Sequence, residues 1–287
     1  MCWVQLEMKR RDFLKAVTTG IVAGGIVPTQ VMAKIVIIYH NTSGPSSDEH
    51  IKDYLHKMQT FDKPHKGDVY LDPSSFLLLE SSVKRFKRLQ RTVGYGSFHL
   101  LSFDDALKIA RNYSRVGAFP KDEIVFLEKL FYQDSATYGF LGKKPVKNLT
   151  DRIQRHKVIK IPYTGNYLYK GLPLETYRKI KQEIGEQAIL TSGIRSVIKQ
   201  FLLFLNKAYK NQGNLSLASR QLAPPGYSYH GISDFDVGQV GYGATNFTAR
   251  FVKTDVFKKL KDLGYLKLRY PQGNLLGVRF EPWHIKV

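Results

Sequence analysis

The chain has 287 residues, of which 43% are hydrophobic and 13% aromatic, enough to bury a sizeable core and to exclude a largely disordered chain. Its 44 lysine and arginine residues outnumber 24 aspartate and glutamate residues, and the net charge of +20 favours polyanionic partners such as nucleic acid or anionic envelope polymers. Cys2 is the single cysteine, so a disulfide within one chain and a cysteine-based zinc site are both excluded.

Residues 1–33 have the pattern of an export signal. Lys9–Lys15 (KRRDFLK) resembles the twin-arginine signal, an apolar run follows at 16–27, and 31–33 (VMA) supply a cleavage site. The run is short for a membrane anchor, which favours cleavage, and Met8 is the favoured start. We therefore expect a protein of the periplasm or cell envelope, with no stable membrane span after cleavage. Its positive charge then indicates affinity for anionic envelope polymers and no nucleic-acid partner.

Residues 34–155 are predicted to be mainly helical, and the sequence indicates no role for them. Ser102 is followed three residues later by Asp105, a capping-box-like start to one helix. Apolar residues at helical spacing predict further helices at 49–59, 77–90 and 120–132.

Residues 156–287 are predicted to alternate strands and helices. The predicted helices are 174–185, 197–209 and 254–263. A strand and turn are predicted within 158–168, and further strands at 188–191, 265–270 and 276–280.

Two stretches of this second region concentrate reactive side chains. Residues 223–238 (APPGYSYHGISDFDVG) combine one histidine with two aspartates in a turn-rich segment. Near the end of the chain, Glu281 stands three residues before His284. Two histidines, a carboxylate and a spare glutamate are the components of a catalytic zinc site, which has three protein ligands, one open position for water and one base.

The spacing within the first stretch constrains such a site. If residues 234–237 form a strand, Asp234 and Asp236 point to one face, and Phe235 and Val237 point into the core. Six extended residues span roughly 20 Å, whereas two ligands of one zinc ion lie within about 4 Å of each other. His230 and Asp236 can therefore share a metal only if the chain doubles back between them. Asp234 is the competing candidate.

Four motifs occur in sequence order, namely SGIRS (192–196), PPGYSYHG (224–231), DFDVG (234–238) and EPWH (281–284). Together they resemble the VanY-type D-alanyl-D-alanine carboxypeptidases, zinc peptidases that trim peptidoglycan stem peptides. The resemblance covers roughly residues 155–287. It implies an α+β fold of the hedgehog or D,D-peptidase type, in which a small antiparallel sheet flanked by helices carries a Zn²⁺ site.

The resemblance also implies roles for individual residues. It makes His230, Asp236 and His284 the zinc ligands and Glu281 the catalytic base. Arg195 matches the arginine that helps to bind and polarise the substrate. Weaker candidates for substrate contact are Ser228, Gln200 and Trp283.

The chain departs from the family pattern in two places. Ile194 replaces the usual tyrosine. Five residues, where the family usually has six, separate His230 from Asp236, and the usual Gly-x-Ala before the aspartate is missing. The choice between Asp236 and Asp234 as the ligand is therefore left open.

The sequence predicts an exported zinc-dependent D-alanyl-D-alanine carboxypeptidase that hydrolyses the terminal peptide bond of peptidoglycan stem peptides. One alternative is a zinc peptidoglycan endopeptidase or D,D-dipeptidase, which would cut a different bond. Another is a catalytically degenerate, basic wall-binding module.

Overall fold

The computed structural model describes residues 47–287, with side chains from residue 52 onward. The export signal predicted at residues 1–33 lies outside the described residues. From residue 47 onward the chain belongs to one compact unit. Within this part of the chain, no helix combines the length and the apolar composition that a bilayer span requires.

The first half of the described chain is helical, as predicted. The helices are α1 (Ser47–Gln59), α2 (Pro73–Val93), α3 (Tyr95–Phe98), α4 (Phe103–Asn112) and α5 (Lys121–Tyr132). Ser102 caps α4, because its Oγ accepts a hydrogen bond from the Asp105 amide at 3.2 Å and donates one to the Asp105 carboxylate at 2.7 Å. The capping pair predicted from the sequence is confirmed.

The second half alternates strands and helices, which confirms the predicted α+β class. Its elements are β1 (Val158–Lys160), β2 (Tyr167–Tyr169), α6 (Leu172–Ile184), β3 (Ala188–Ser192), α7 (Val197–Lys210), α8 (Leu215–Gln221), β4 (Phe235–Gln239), α9 (Asp255–Asp262) and β5 (His284–Ile285). Strands β1 and β2 form an antiparallel hairpin, and β3, β4 and β5 form an antiparallel sheet with β4 in the centre.

The three-stranded sheet has one apolar face. Phe235 and Val237 of β4 are fully buried there, in a core that α6 and α9 complete. Because side chains alternate along a strand, Asp236 points to the opposite face. The sequence prediction that the apolar residues of 234–237 enter the core is therefore confirmed.

Two predicted strands, 265–270 and 276–280, are wrong. In the structure these residues form turns and bends, and Leu268 makes only an isolated bridge with Ile285. Their backbone groups bond to loops and to a helix end, for example through the Arg279 amide, which donates to the Arg220 carbonyl at 2.9 Å. With no continuous neighbouring strand, alternating apolar residues are not sufficient to form a ladder.

A larger apolar core joins the two halves of the described chain. The ring of Phe201 on α7 lies 6.1 Å from that of Phe86 on α2 and 6.4 Å from that of Phe131 on α5. The helical half therefore supports α7 directly. The domain division predicted between residues 34–155 and 156–287 stays a prediction, and this core contains side chains from both sides of it.

A buried ion pair ties the loop between α1 and α2 to α8. Arg220 contacts the Asp68 carboxylate through Nη1 at 2.6 Å and Nη2 at 2.9 Å, and at most 5% of either side chain is exposed. Removing one partner leaves the other charge buried without compensation, which typically costs about 3–5 kcal/mol.

We therefore expect Asp68→Ala to lower the free energy of unfolding by about 3–5 kcal/mol in a denaturant titration. Glu186→Ala is the control, because Glu186 pairs with Lys181 at 2.9 Å but its side chain is 96% exposed. That change should cost less than about 1 kcal/mol. Equal effects of the two substitutions would contradict a structural role for the buried pair.

Candidate metal centre

The register of the sheet brings Asp236 and His284 together. Asp236 lies in the central strand directly opposite His284 of β5. On its other side it faces Ser192, where β3 departs from regular pairing between Leu190 and Ser192. Such irregularities commonly redirect a strand next to a functional site. The residues after Ser192 then turn towards Asp236 and include Arg195.

His230 reaches the same point because the chain doubles back after it. A short 3-10 helix at Tyr229–Gly231 starts the turn, and the Tyr229 carbonyl accepts the amide of Asp234 at 3.2 Å. The His230 ring is fixed by a 2.7 Å hydrogen bond from Nδ1 to the Gly193 carbonyl. Because a carbonyl only accepts, Nδ1 carries the proton and Nε2 is left with a free lone pair.

Gly193 is required for this arrangement. A Cβ atom at this position would lie 2.1 Å from the Tyr167 carbonyl oxygen of the neighbouring hairpin. That carbonyl also accepts the Ile194 amide at 2.8 Å, so the hairpin cannot move away without losing the bond. A glycine therefore lets the backbone approach closely enough to orient His230.

His230, Asp236 and His284 form a buried triad suited to a metal ion. Each side chain is at most 3% exposed, and one ligand atom from each lies within 4.8 Å of the others. His230 Nε2 and Asp236 Oδ1 are buried without a hydrogen-bond partner, although they are only 3.2 Å apart. Unpaired buried polar atoms are costly, and a cation bound between them would satisfy both. Two nitrogens and one carboxylate oxygen are a donor set found at catalytic zinc sites.

Asp234 occupies a different place from Asp236. Its Oδ2 lies 2.9 Å from His284 Nε2, on the side of the imidazole away from Asp236. Arg269 binds the same carboxylate through Nε at 2.9 Å and Nη2 at 3.2 Å. A carboxylate on the far nitrogen of a metal-binding histidine fixes the orientation of the ring. The structure thus places Asp236 among the candidate ligands and Asp234 behind one of them.

The buried charges set opposite protonation tendencies on the two histidines. Burial and the nearby Arg195 lower the pKa of His230 to about 4, which favours the neutral imidazole that binds metals. Burial also opposes a charge on His284, but the hydrogen bond to Asp234 and the nearby carboxylate of Asp236 outweigh it and raise its pKa to about 9. The triad therefore combines one neutral imidazole with one that lies in a strongly negative environment, which also stabilises a divalent cation.

A cleft of about 520 Å³ opens beside the triad and reaches it at Asp236. Asp236 lines it, and so does Glu281, whose Oε2 lies 3.5 Å from His284 Nδ1. Burial raises the pKa of Glu281, as expected for a carboxylate that accepts a proton. Arg195 also lines the cleft, where its Nη2 donates to Asp236 Oδ2 at 2.7 Å and its Nε donates to Ser192 at 2.9 Å. The cleft thus has a base and a guanidinium beside the candidate metal ligands.

Residues 173–287 match the model of the VanY family, described as D-alanyl-D-alanine carboxypeptidase. This part of the chain is similar to the VanY family. The match begins within α6 and includes the whole triad and Glu281. No curated protein matches the chain.

Two solved structures are similar to this chain. The LdcB LD-carboxypeptidase is 24% identical with a TM-score of 0.35, and the match covers 45% of this chain and 62% of that one. VanYB in complex with D-alanine-D-alanine is 23% identical with a TM-score of 0.35, and the match covers 45% of this chain and 75% of that one. The chain therefore spans less than two thirds of the LdcB structure.

The three candidate substrate contacts of the VanY-like region lie in different places. Trp283 lines the cleft, and its buried ring packs at 6.0 Å against Phe247. Gln200 is buried on α7 and donates to the Ala223 carbonyl, and Ser228 is buried at the start of the 3-10 turn. The cleft lining includes neither Gln200 nor Ser228. Both are held in the wall behind the turn that carries His230.

Two arginines of the site were missed by the sequence reasoning. Arg269, which holds Asp234, lies in a segment predicted as a strand, and no local pattern marks its partner 35 residues away. Arg279 lines the cleft two residues before Glu281. No local pattern in the sequence marks Arg279 as a residue of the site either.

The structure predicts different effects of two matched substitutions on metal binding. We expect Asp234→Asn to lower zinc affinity by about 10- to 100-fold, because His284 would lose the contact that orients it. Asp236→Asn, which changes a candidate ligand, should lower zinc affinity further. Metal content after dialysis and a titration against a competing chelator would measure both. The opposite ranking would make Asp234 the ligand.

Proposed function

We propose that the protein is a zinc-dependent D-alanyl-D-alanine carboxypeptidase that acts on peptidoglycan stem peptides. The observation that carries this proposal is the buried His-Asp-His triad beside a cleft that also contains Glu281, within a segment similar to the VanY family. Three protein ligands and a separate glutamate match the needs of metal-assisted peptide hydrolysis.

The metal in this proposal is zinc, held by His230, Asp236 and His284. When bound, zinc would lower the pKa of a coordinated water towards about 7 and polarise the carbonyl of the substrate. The hydrogen bonds from His230 to Gly193 and between His284 and Asp234 would keep both rings in their binding orientations. These contacts are present in the protein alone, so the site is preorganised.

Glu281 would act as the general base and then as the general acid. It would take a proton from the water that attacks the terminal peptide bond and pass it to the leaving amine. Its burial supports this role, because a raised pKa brings a carboxylate closer to the operating pH. Its position next to His284 keeps it outside the candidate ligand triad but within reach of the same space.

Arg195 would stabilise the negative charge that develops on the substrate carbonyl. Two of its nitrogens bind Asp236 and Ser192, which holds the guanidinium in place. Its Nη1 makes no hydrogen bond within the described residues and is available to a substrate oxygen. Preorganised donors of this kind supply a large part of the rate enhancement in acyl transfer.

We expect Glu281→Gln to lower kcat by about 10²- to 10⁴-fold without loss of bound zinc, because Glu281 lies outside the triad. Release of free D-alanine from a muropeptide ending in D-Ala-D-Ala would be the assay, with Glu186→Gln as the control. Full activity of Glu281→Gln would remove it as the base. Products of another mass would identify an endopeptidase or dipeptidase, and bound zinc without turnover on any muropeptide would favour a degenerate wall-binding module.

Export is part of the proposal and rests on the sequence of residues 1–33, outside the described structure. An exported location would bring the enzyme to peptidoglycan and its excess of positive charge to anionic envelope polymers. We expect the double change Arg10→Lys and Arg11→Lys to leave the precursor in the cytoplasm, whereas Lys9→Arg should still be exported. Cell fractionation would show this, and normal export of the double variant would exclude the twin-arginine route.

A further inference from the structure

Arg279 is a partly buried cation that makes no ion pair with a neighbouring carboxylate of the described chain. No ion pair joins its guanidinium to any carboxylate within 4.0 Å in the described part of the chain, and its Nε is buried without a hydrogen-bond partner. Its guanidinium carbon instead lies 5.3 Å from the ring centre of Phe61 and 4.9 Å from that of Trp283. Burial lowers the pKa of Arg279 and outweighs the opposing effect of the carboxylates of Glu281, Asp236 and Asp62.

Four other arginines of the described chain that are partly or fully buried are compensated by a carboxylate. Each makes a contact of 2.9 Å or less with a carboxylate, namely Arg85 with Glu123, Arg195 with Asp236, Arg220 with Asp68 and Arg269 with Asp234. A buried charge without such a partner is destabilising. Arg279 is therefore better explained by a binding role than by a structural one.

The surroundings of Arg279 favour an anion. One face of α7 lines the cleft with Lys199, Leu203, Asn206, Lys207 and Lys210. At 1.5 Å per residue, this face extends for about 16 Å. The only carboxylates in the cleft lining are Asp236, which belongs to the triad, and Glu281, which lies beside it. Away from the triad the cleft is thus positive, and such a cleft concentrates anionic ligands.

The helical half of the chain helps to hold Arg279. Phe61 belongs to the loop between α1 and α2, which the Asp68–Arg220 pair anchors. The carbonyl of Arg220 also accepts the Arg279 amide at 2.9 Å. Contact with two aromatic rings restricts the guanidinium plane and leaves its charge uncancelled. This region, to which the sequence assigned no role, therefore contributes to the cleft wall.

We propose that Arg279 binds a carboxylate of the substrate and makes the cleft selective for anionic peptides. This inference rests on the proposed peptidase function and names a specificity residue for it. A planar guanidinium recognises a carboxylate through paired hydrogen bonds. A stem peptide carries carboxylates at its C-terminus and on acidic residues further from the cleaved bond, and both sources offer the same chemistry.

Kinetics on three peptides distinguish these sources. The first ends in a free D-Ala-D-Ala carboxylate, the second is its C-terminal amide, and the third has its upstream acidic residue replaced by the uncharged amide. Arg279→Gln should raise KM for the first peptide by about 10- to 100-fold, the effect of losing hydrogen bonds to a charged group, with a smaller change in kcat. Arg178→Gln, at an exposed position of α6, is the matched control and should behave as wild type.

The pattern across substrates identifies the carboxylate. If the terminal carboxylate is bound, wild type discriminates against the amide and Arg279→Gln does not. If the upstream carboxylate is bound, wild type discriminates against the third peptide and Arg279→Gln does not. Arg279→Lys keeps the charge without the planar group and should recover only part of the affinity.

Two results would overturn the inference. One is an unchanged KM of Arg279→Gln on all three peptides, and the other is an equal loss on all three. Thermal unfolding and zinc content of each variant show whether the site is intact. If Arg279→Gln fails to fold, Arg279→Lys must show the selective rise in KM.

If wild type cleaves none of the peptides, the proposed peptidase function is refuted, and the kinetic comparison cannot be made. Equilibrium binding of the same peptides then tests Arg279 separately, and equal affinity for acid and amide forms would refute it.

Discussion

A buried carboxylate stays ionised only when positive charge or hydrogen-bond donors surround it, and Asp236 shows how this protein meets that constraint. Burial raises the pKa of Asp236, but the charged groups around it, above all the Arg195 guanidinium, outweigh burial and hold that pKa well below its usual range. Arg195 occupies Oδ2, so Oδ1 is left facing both histidines. Arg195 therefore keeps the Asp236 carboxylate charged and leaves its Oδ1 as the oxygen that is free to bind a metal.

The shortened spacing between His230 and Asp236 is accommodated by one tight turn. The Tyr229 carbonyl accepts the amides of Ile232, Ser233 and Asp234 at 3.0–3.2 Å, which folds the five intervening residues back on themselves. The strand begins immediately afterwards, so Asp234 and Asp236 project from the same face on opposite sides of His284. The shorter spacing therefore keeps the triad together, and Asp234 orients His284.

Local patterns predicted the parts of this site that local physics determines. Alternation in 234–237 placed Phe235 and Val237 in the core, and helical spacing predicted the helices that support α7. The predictions for 265–270 and 276–280 failed because those backbones bond to distant loops and helix ends instead of a neighbouring strand. Arg269 and Arg279 arise from these irregular segments, where partners are set by tertiary contacts. Their roles could not be derived from nearby residues.

The same long-range contacts explain why the helical half and the VanY-like region share one core. The face of α7 that packs against Phe86 and Phe131 is buried, and this orients the opposite face, with its lysines, towards the cleft. The loop that carries Phe61 adds an aromatic contact to Arg279. A change in the packing of the helical half would therefore alter the charge distribution of the cleft, whereas Asp236 and His284 are held by the sheet and by a separate core. Binding selectivity thus depends on the helical half, and two of the three candidate metal ligands depend on the sheet.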